Sequence, residues 1–109
     1  MAWVHACAAD AIDTDDLIRW DHNGHSHAIY RTEADTFYAT DGLCSHEQVQ
    51  LCNGLLMGHL IECPKHNGRF DIISGEAVGR PAKIALNVHE VREHHGRLEL
   101  RVAREAVRK

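Results

Sequence analysis

A chain of 109 residues, 44% of them apolar, is long enough for one domain with a modest core, to which a bound metal would add useful stability. Its formal net charge of −4 excludes a broad basic surface and, with it, nucleic acid as the main partner. Residues 1–54 carry nine acids against Arg19 and Arg31 for a net of −7, and residues 55–109 carry seven acids against ten bases for +3. A solvated surface accounts for that asymmetry, and a polar face that meets a complementary protein is the sharper reading.

The chain opens with MAWVHACAADAID, which lacks a basic region followed by a continuous apolar stretch, so no secretory signal is expected. Nor does any run approach the roughly 18 apolar residues of a membrane span, and the expected location is the cytoplasm. In that reducing compartment, cysteines near histidines bind metal more often than they form disulfides.

Short β-rich runs separated by turn residues then follow one another. They are WVHAC (3–7), LIRWD (17–21), HAIYRT (27–32), TFYAT (36–40), LIEC (60–63), GRFDII (68–73), IALNVHEV (84–91) and RLELRV (97–102). Asn23-Gly24 predicts a hairpin, since both residues tolerate positive φ, and His95-Gly96 predicts a turn between the last two runs. DTDDLIRW starts like a capped helix, but its apolar stretch is too short to support one. The expectation is an all-β domain over residues 1–109 whose least regular part is 41–75.

That irregular part holds Cys44, Cys52 and Cys63 with His46, His59 and His66. Cys44, His46, Cys63 and His66 form two short words, C-x-H and C-x-x-H, separated by sixteen residues. Thiolate and neutral imidazole both suit zinc and iron. A zinc finger keeps its cysteines in one word and its histidines in the other; here each word holds one of each. Each loop can therefore give sulfur to one iron and nitrogen to its neighbour. A mononuclear zinc staple is the competing use of the same four side chains.

The segment LCSHEQ…ECPKHNGRFD resembles the cluster-binding region of Rieske iron–sulfur proteins, and most of all the small ferredoxins that serve Rieske non-haem oxygenases. The likeness extends over almost the whole chain. It implies the Rieske all-β fold, antiparallel sheets in a sandwich-like arrangement with a cluster-binding subdomain made by two loops, at about 41–50 and 61–71. It implies one Rieske-type [2Fe-2S] cluster, with Cys44 and Cys63 on the inner iron and His46 and His66 on the outer. By the same resemblance the chain catalyses nothing itself. It is a monomeric carrier that takes single electrons from a flavin-dependent NAD(P)H ferredoxin reductase and passes them to the terminal component of a Rieske oxygenase in aromatic hydrocarbon catabolism. A small Rieske subunit held permanently in a reductase complex is the alternative.

Under that resemblance, Gly42 and Gly68 let the backbone approach the sulfides, Pro64 shapes the second loop, and Phe70, Leu43, Leu60 and Ile61 cover the buried side. Respiratory-type Rieske proteins resemble C-T-H-x-G-C and C-P-C-H-G-S-x-Y-D, with an added disulfide and hydroxyl donors to sulfur. This chain has Val49, Lys65, Gly68 and Phe70 at the matching positions. Fewer donors stabilise the added electron less, which places the expected potential near the bottom of the Rieske range, about −150 mV.

The other candidates have plainer readings. Cys52 is expected to be a small buried side chain rather than a fifth ligand, Cys7 to be core, and no bridge is expected between them. His22, His25 and His27 in DHNGHSH are read as polar residues around a hairpin turn rather than a second metal site. Trp3, Trp20, Tyr30, Phe37, Tyr38 and Phe70 are expected to pack the core. Lys65, Arg69 and Glu47 beside the loops are candidates for meeting a partner. No nucleophile with a triad context, P-loop or dinucleotide fingerprint is present.

Overall fold

The computed structural model describes residues 3–44, 49–65, 68–79 and 84–102. Ten strands run through them: β1 Val4–Ala8, β2 Asp16–His22, β3 His25–Arg31, β4 Phe37–Asp41, β5 Leu55–Met57, β6 Leu60–Glu62, β7 Arg69–Asp71, β8 Ala77–Gly79, β9 Val88–His94 and β10 Arg97–Arg101. They pair antiparallel throughout, in a six-stranded sheet ordered β1-β10-β9-β4-β3-β2 and a smaller sheet ordered β5-β6-β7-β8.

Turn chemistry sets the registers. Asn23 and Gly24 take φ of 53° and 79° between the paired His22 and His25, and His95 and Gly96 take 55° and 76° between His94 and Arg97. Both are two-residue turns with two positive φ values, whose twist matches that of the strands they join. The run predicted to continue to Ile73 stops at Asp71. There the carboxylate accepts the backbone N–H of Ile73 at 2.8 Å and of Ser74 at 3.3 Å, which turns the chain before β8.

The six-stranded sheet serves two cores. On one face Ile29 and Ala39 meet Ala9, Ile12, Leu98 and Leu100, so the sheet curls until β3 and β4 face β1 and β10. On the other face Ala28 and Tyr30 meet Leu51, Leu56, Ile61, Phe70, Ile72 and Leu86 from the smaller sheet and its connections. Strand β3 therefore has no solvent side between His27 and Tyr30, and it reads as a continuous buried run rather than an alternation. Burial pushes the Tyr30 phenol pKa up, and its hydroxyl shares a 2.9 Å hydrogen bond with the buried Thr40.

Three expectations change. β5 and β8 are three-residue strands that the runs did not reveal, because they hold register through β6 and β7 rather than through their own composition. β9 begins at Val88 rather than Ile84, since Leu86 instead donates its N–H to Gly75 O at 2.7 Å. Trp3 lies half-buried between the Arg92 and Arg101 guanidinium groups, 4.3 and 4.9 Å from its ring, instead of in a core.

Candidate metal centre

Cys44 and Cys63 are 0% and 1% exposed and belong to the same apolar cluster, with Leu51, Ile61, Phe70 and Ile72. Each opens a loop of the same construction. Cys44 N–H reaches Val49 O at 2.8 Å, and Cys63 N–H reaches Gly68 O at 2.7 Å, so both loops close from a cysteine to the residue five positions on. Paired residues stand just outside each closure: Leu43 bridges Gln50 in the first, and Glu62 pairs with Arg69 in the second. Both loops are hairpin tips whose first residue is a buried thiol.

The root of the first loop is tied from two sides. Toward β3, Gly42 N–H donates to Ser26 O and Gly42 O accepts from Leu51, each at 2.8 Å. The Gln50 amide nitrogen donates to Ser26 Oγ at 3.1 Å, and that hydroxyl donates to the Asp21 carboxylate at 3.0 Å. Toward β9, Asp41 N–H donates to Asn87 O at 3.0 Å, while its carboxylate takes Asn87 Nδ2 and His89 Nε2, both at 2.9 Å. Burial raises the Asp41 carboxyl, but the hydrogen bonds and charge from His89 and the hydrogen bond from Asn87 outweigh it and hold the pKa below the usual carboxylate value.

Gly42 has a different role from the one expected. A Cβ there would stand 2.9 Å from the His27 backbone nitrogen and from the Ser26 carbonyl carbon. The glycine is needed for close approach of the loop root to β3, a requirement met before any sulfide is considered. Phe70 and Ile61 are fully buried against the two cysteines as expected, whereas Leu43 and Leu60 are only partly buried. Gly68 is buried and its carbonyl closes the second loop; Pro64 and Lys65 are exposed in that loop, and Arg69 sits 3.8 Å from Glu62.

His46 and His66, with Glu47, lie outside the described residues. Among the described residues no three His, Cys, Asp or Glu side chains are arranged to hold a metal ion. The described residues offer a metal group the two buried sulfurs of Cys44 and Cys63, each at the start of its loop. Two buried cysteine sulfurs, one per loop, suit a group with an inner sulfur-bound iron.

The remaining cysteines are thiols: Cys7 packs partly buried beside the first core, where burial pushes its pKa up, and Cys52 packs against the second. His25 is exposed and His22 stacks on Trp20 with ring centres 5.0 Å apart. His27, expected at the surface of the hairpin, is instead 2% exposed. Its ring points to the same side as Ile29, lies 5.0 Å from His89, and Nδ1 is 3.3 Å from Trp20 O. Its position opposite Asp41 and Trp20 in register explains the burial, and register across three strands is not visible in a local composition.

Residues 2–90 match the Rieske [2Fe-2S] domain family. The chain is 35% identical over 100 residues to the ferredoxin component of the naphthalene 1,2-dioxygenase/salicylate 5-hydroxylase systems of a Ralstonia species, covering 92% of this chain and 95% of that one. It is 36% identical over 90 residues to the ferredoxin component of the naphthalene 1,2-dioxygenase system of Pseudomonas putida, covering 83% and 86%. A chain in the solved complex of reduced oxygenase and oxidized ferredoxin in carbazole 1,9a-dioxygenase superposes with a TM-score of 0.84 at 33% identity, covering 90% and 91%. With its two buried thiols at the mouths of matched hairpin loops, the chain belongs to the Rieske [2Fe-2S] family, among the electron-carrying ferredoxins of oxygenase systems.

Proposed function

We propose that residues 1–109 form a single Rieske domain in which Cys44, His46, Cys63 and His66 hold one [2Fe-2S] cluster, from loops at about 41–50 and 61–71. When bound, the cluster supplies a one-electron couple whose potential is raised by neutral imidazole ligands relative to four thiolates. The chain's own residues do the rest. Leu51, Ile61, Phe70 and Ile72 keep water from the two thiols, and the closures at Val49 and Gly68 fix the backbone on which the thiols are mounted. The observation that supports this reading is the repeated loop closure, from a buried cysteine to the residue five positions on, in two segments whose sequences each carry a histidine two or three residues after that cysteine.

The proposed task is to carry single electrons from a flavin-dependent NAD(P)H ferredoxin reductase to the terminal component of a Rieske oxygenase acting on an aromatic hydrocarbon. The proposed setting is the cytoplasm and the proposed state a monomer; among the described residues no helix is long and apolar enough to cross a membrane. A shuttle must leave its partner quickly, so the docking area is expected to be under about 1,200 Å². Electron paramagnetic resonance of the dithionite-reduced protein tests the cluster, and Cys44→Ser and Cys63→Ser test the thiol ligands. A Rieske-type signal in purified protein, lost in both variants, is the expected result. Stoichiometric zinc without acid-labile sulfide would overturn the proposal.

A further inference from the structure

Asp41 is the last residue of β4, three positions before Cys44, and both of its carboxylate oxygens are engaged by side chains from the start of β9 and the segment leading into it. Asn87 grips it twice, through Nδ2 on one oxygen and through its carbonyl on the Asp41 N–H. His89 holds the other oxygen with a side chain that is 1% exposed. On the far side of Asp41, His27 stands opposite it in register, buried between Trp20 and His89, and its backbone nitrogen is what a Gly42 side chain would strike. None of these groups belongs to the proposed ligand set. Yet together they determine where the chain leaves the sheet, because β4 and β9 pair over just two residues, Ala39 with His89 and Thr40 with Val88. Past that short ladder, the side-chain grip on Asp41 and the Asn87 carbonyl are the continuing links between the strands.

We infer that Asp41 is a positioning residue: gripped by Asn87 and His89, its carboxylate fixes the exit of the first ligand loop and places a negative charge at its root that lowers the reduction potential. The sign follows from charge, since an electron is added less readily beside an anion. The groups facing the carboxylate are Asn87 and His89 from the β9 side and His27 from β3, with His22 beyond Trp20. The inference rests on the proposed assignment of Cys44 as a ligand. If Cys44→Ser retained a full cluster, that assignment would fail by itself, whatever Asp41 does.

Two variants of the cluster-loaded protein separate position from charge. Asp41→Asn removes the charge and weakens the grip; Asn87→Ala keeps the charge and removes the Nδ2 donor. Each is compared with the wild type at pH 8, above the ordinary histidine range, for midpoint potential by voltammetry and for cluster loss to an iron chelator. Asp41→Asn is expected to raise the potential and to lose the cluster about fivefold faster, the factor that one net hydrogen bond represents. Asn87→Ala is expected to accelerate loss similarly with an unchanged potential. A carboxylate that only braced the fold would leave the potential of Asp41→Asn at the wild-type value, and that result overturns the inference. Should Asp41→Asn not fold, wild-type loss rates in both Asn87→Ala and His89→Gln overturn it equally.

Discussion

Gly42→Ala tests which surface demands the glycine at the head of the first loop. The new Cβ would meet backbone atoms of Ser26 and His27 at 2.9 Å, and neither strand nor loop offers a flexible side chain that could swing aside. Relief to ordinary contact requires the loop root to move away from β3 by about half an ångström, which lengthens the 2.8 Å hydrogen bond from Gly42 N–H to Ser26 O. Crowding of this kind costs about 1–3 kcal/mol. For a domain near this size each kcal/mol lowers the melting temperature by about 4–8 °C, so a clear drop is expected in calorimetry of the cluster-loaded variant. Its midpoint potential should stay close to that of the wild type, because the clash falls on β3 and not on the proposed ligands. A variant with unchanged melting temperature and a shifted potential would refute the reasoning and restore the role of Gly42 as a window onto the sulfides.

Phe70→Tyr places a hydroxyl where respiratory Rieske proteins resemble a tyrosine, in a pocket that exposes none of the Phe70 ring. A donor that reached sulfur should raise the potential by about 20–65 mV, from about 0.5–1.5 kcal/mol per hydrogen bond at 59 mV per tenfold; voltammetry showing no rise in a stable variant would count against this. His66→Cys should lower the potential by making the outer ligation more anionic, and a raised value in cluster-loaded protein would contradict the charge account. Leu51→Ala, at a fully buried position in the apolar cluster that holds both cysteines, should cost about 2–5 kcal/mol in denaturant unfolding. The pH dependence of stability has two parts. Burial and the neighbouring His89 hold the His27 pKa below its usual 6.5, so the unfolded chain binds the proton first; stability is complete above 6.5 and falls as pH drops toward the folded value. Asp41 is held below 3.8, so its contribution persists down to that region and is lost as pH falls further; urea midpoints taken from pH 8 to pH 3 should show both steps, and His27→Gln should remove the first.

Much of the fold could be read from short signals. Asn23-Gly24 and His95-Gly96 announce their hairpins because positive φ is a property of the residue pair itself. The proposed four-residue ligand pattern is equally local in sequence; of its members the structure describes Cys44 and Cys63, both buried, and His46 and His66 lie outside the described residues. What escaped the sequence depends on partners far along the chain. Leu55–Met57 and Ala77–Gly79 become strands only because Leu60–Glu62 and Arg69–Asp71 are there to pair with them. His27 looks like a surface hairpin residue until register sets it opposite both Trp20 and Asp41. The grip on Asp41 joins residues 46 and 48 positions apart, and nothing in DGLCSH hints at Asn87 or His89.

A strand enclosed on both flanks changes how the molecule comes apart. The amides of Ala28, Ile29 and Tyr30 can exchange with solvent only when two separate apolar masses part at once, so their protection should report the full unfolding free energy, not local breathing. Since Ser26 and His27 at the head of that strand meet Gly42 at the root of the loop that Cys44 opens, the proposed cluster loop is mounted on the part that yields last.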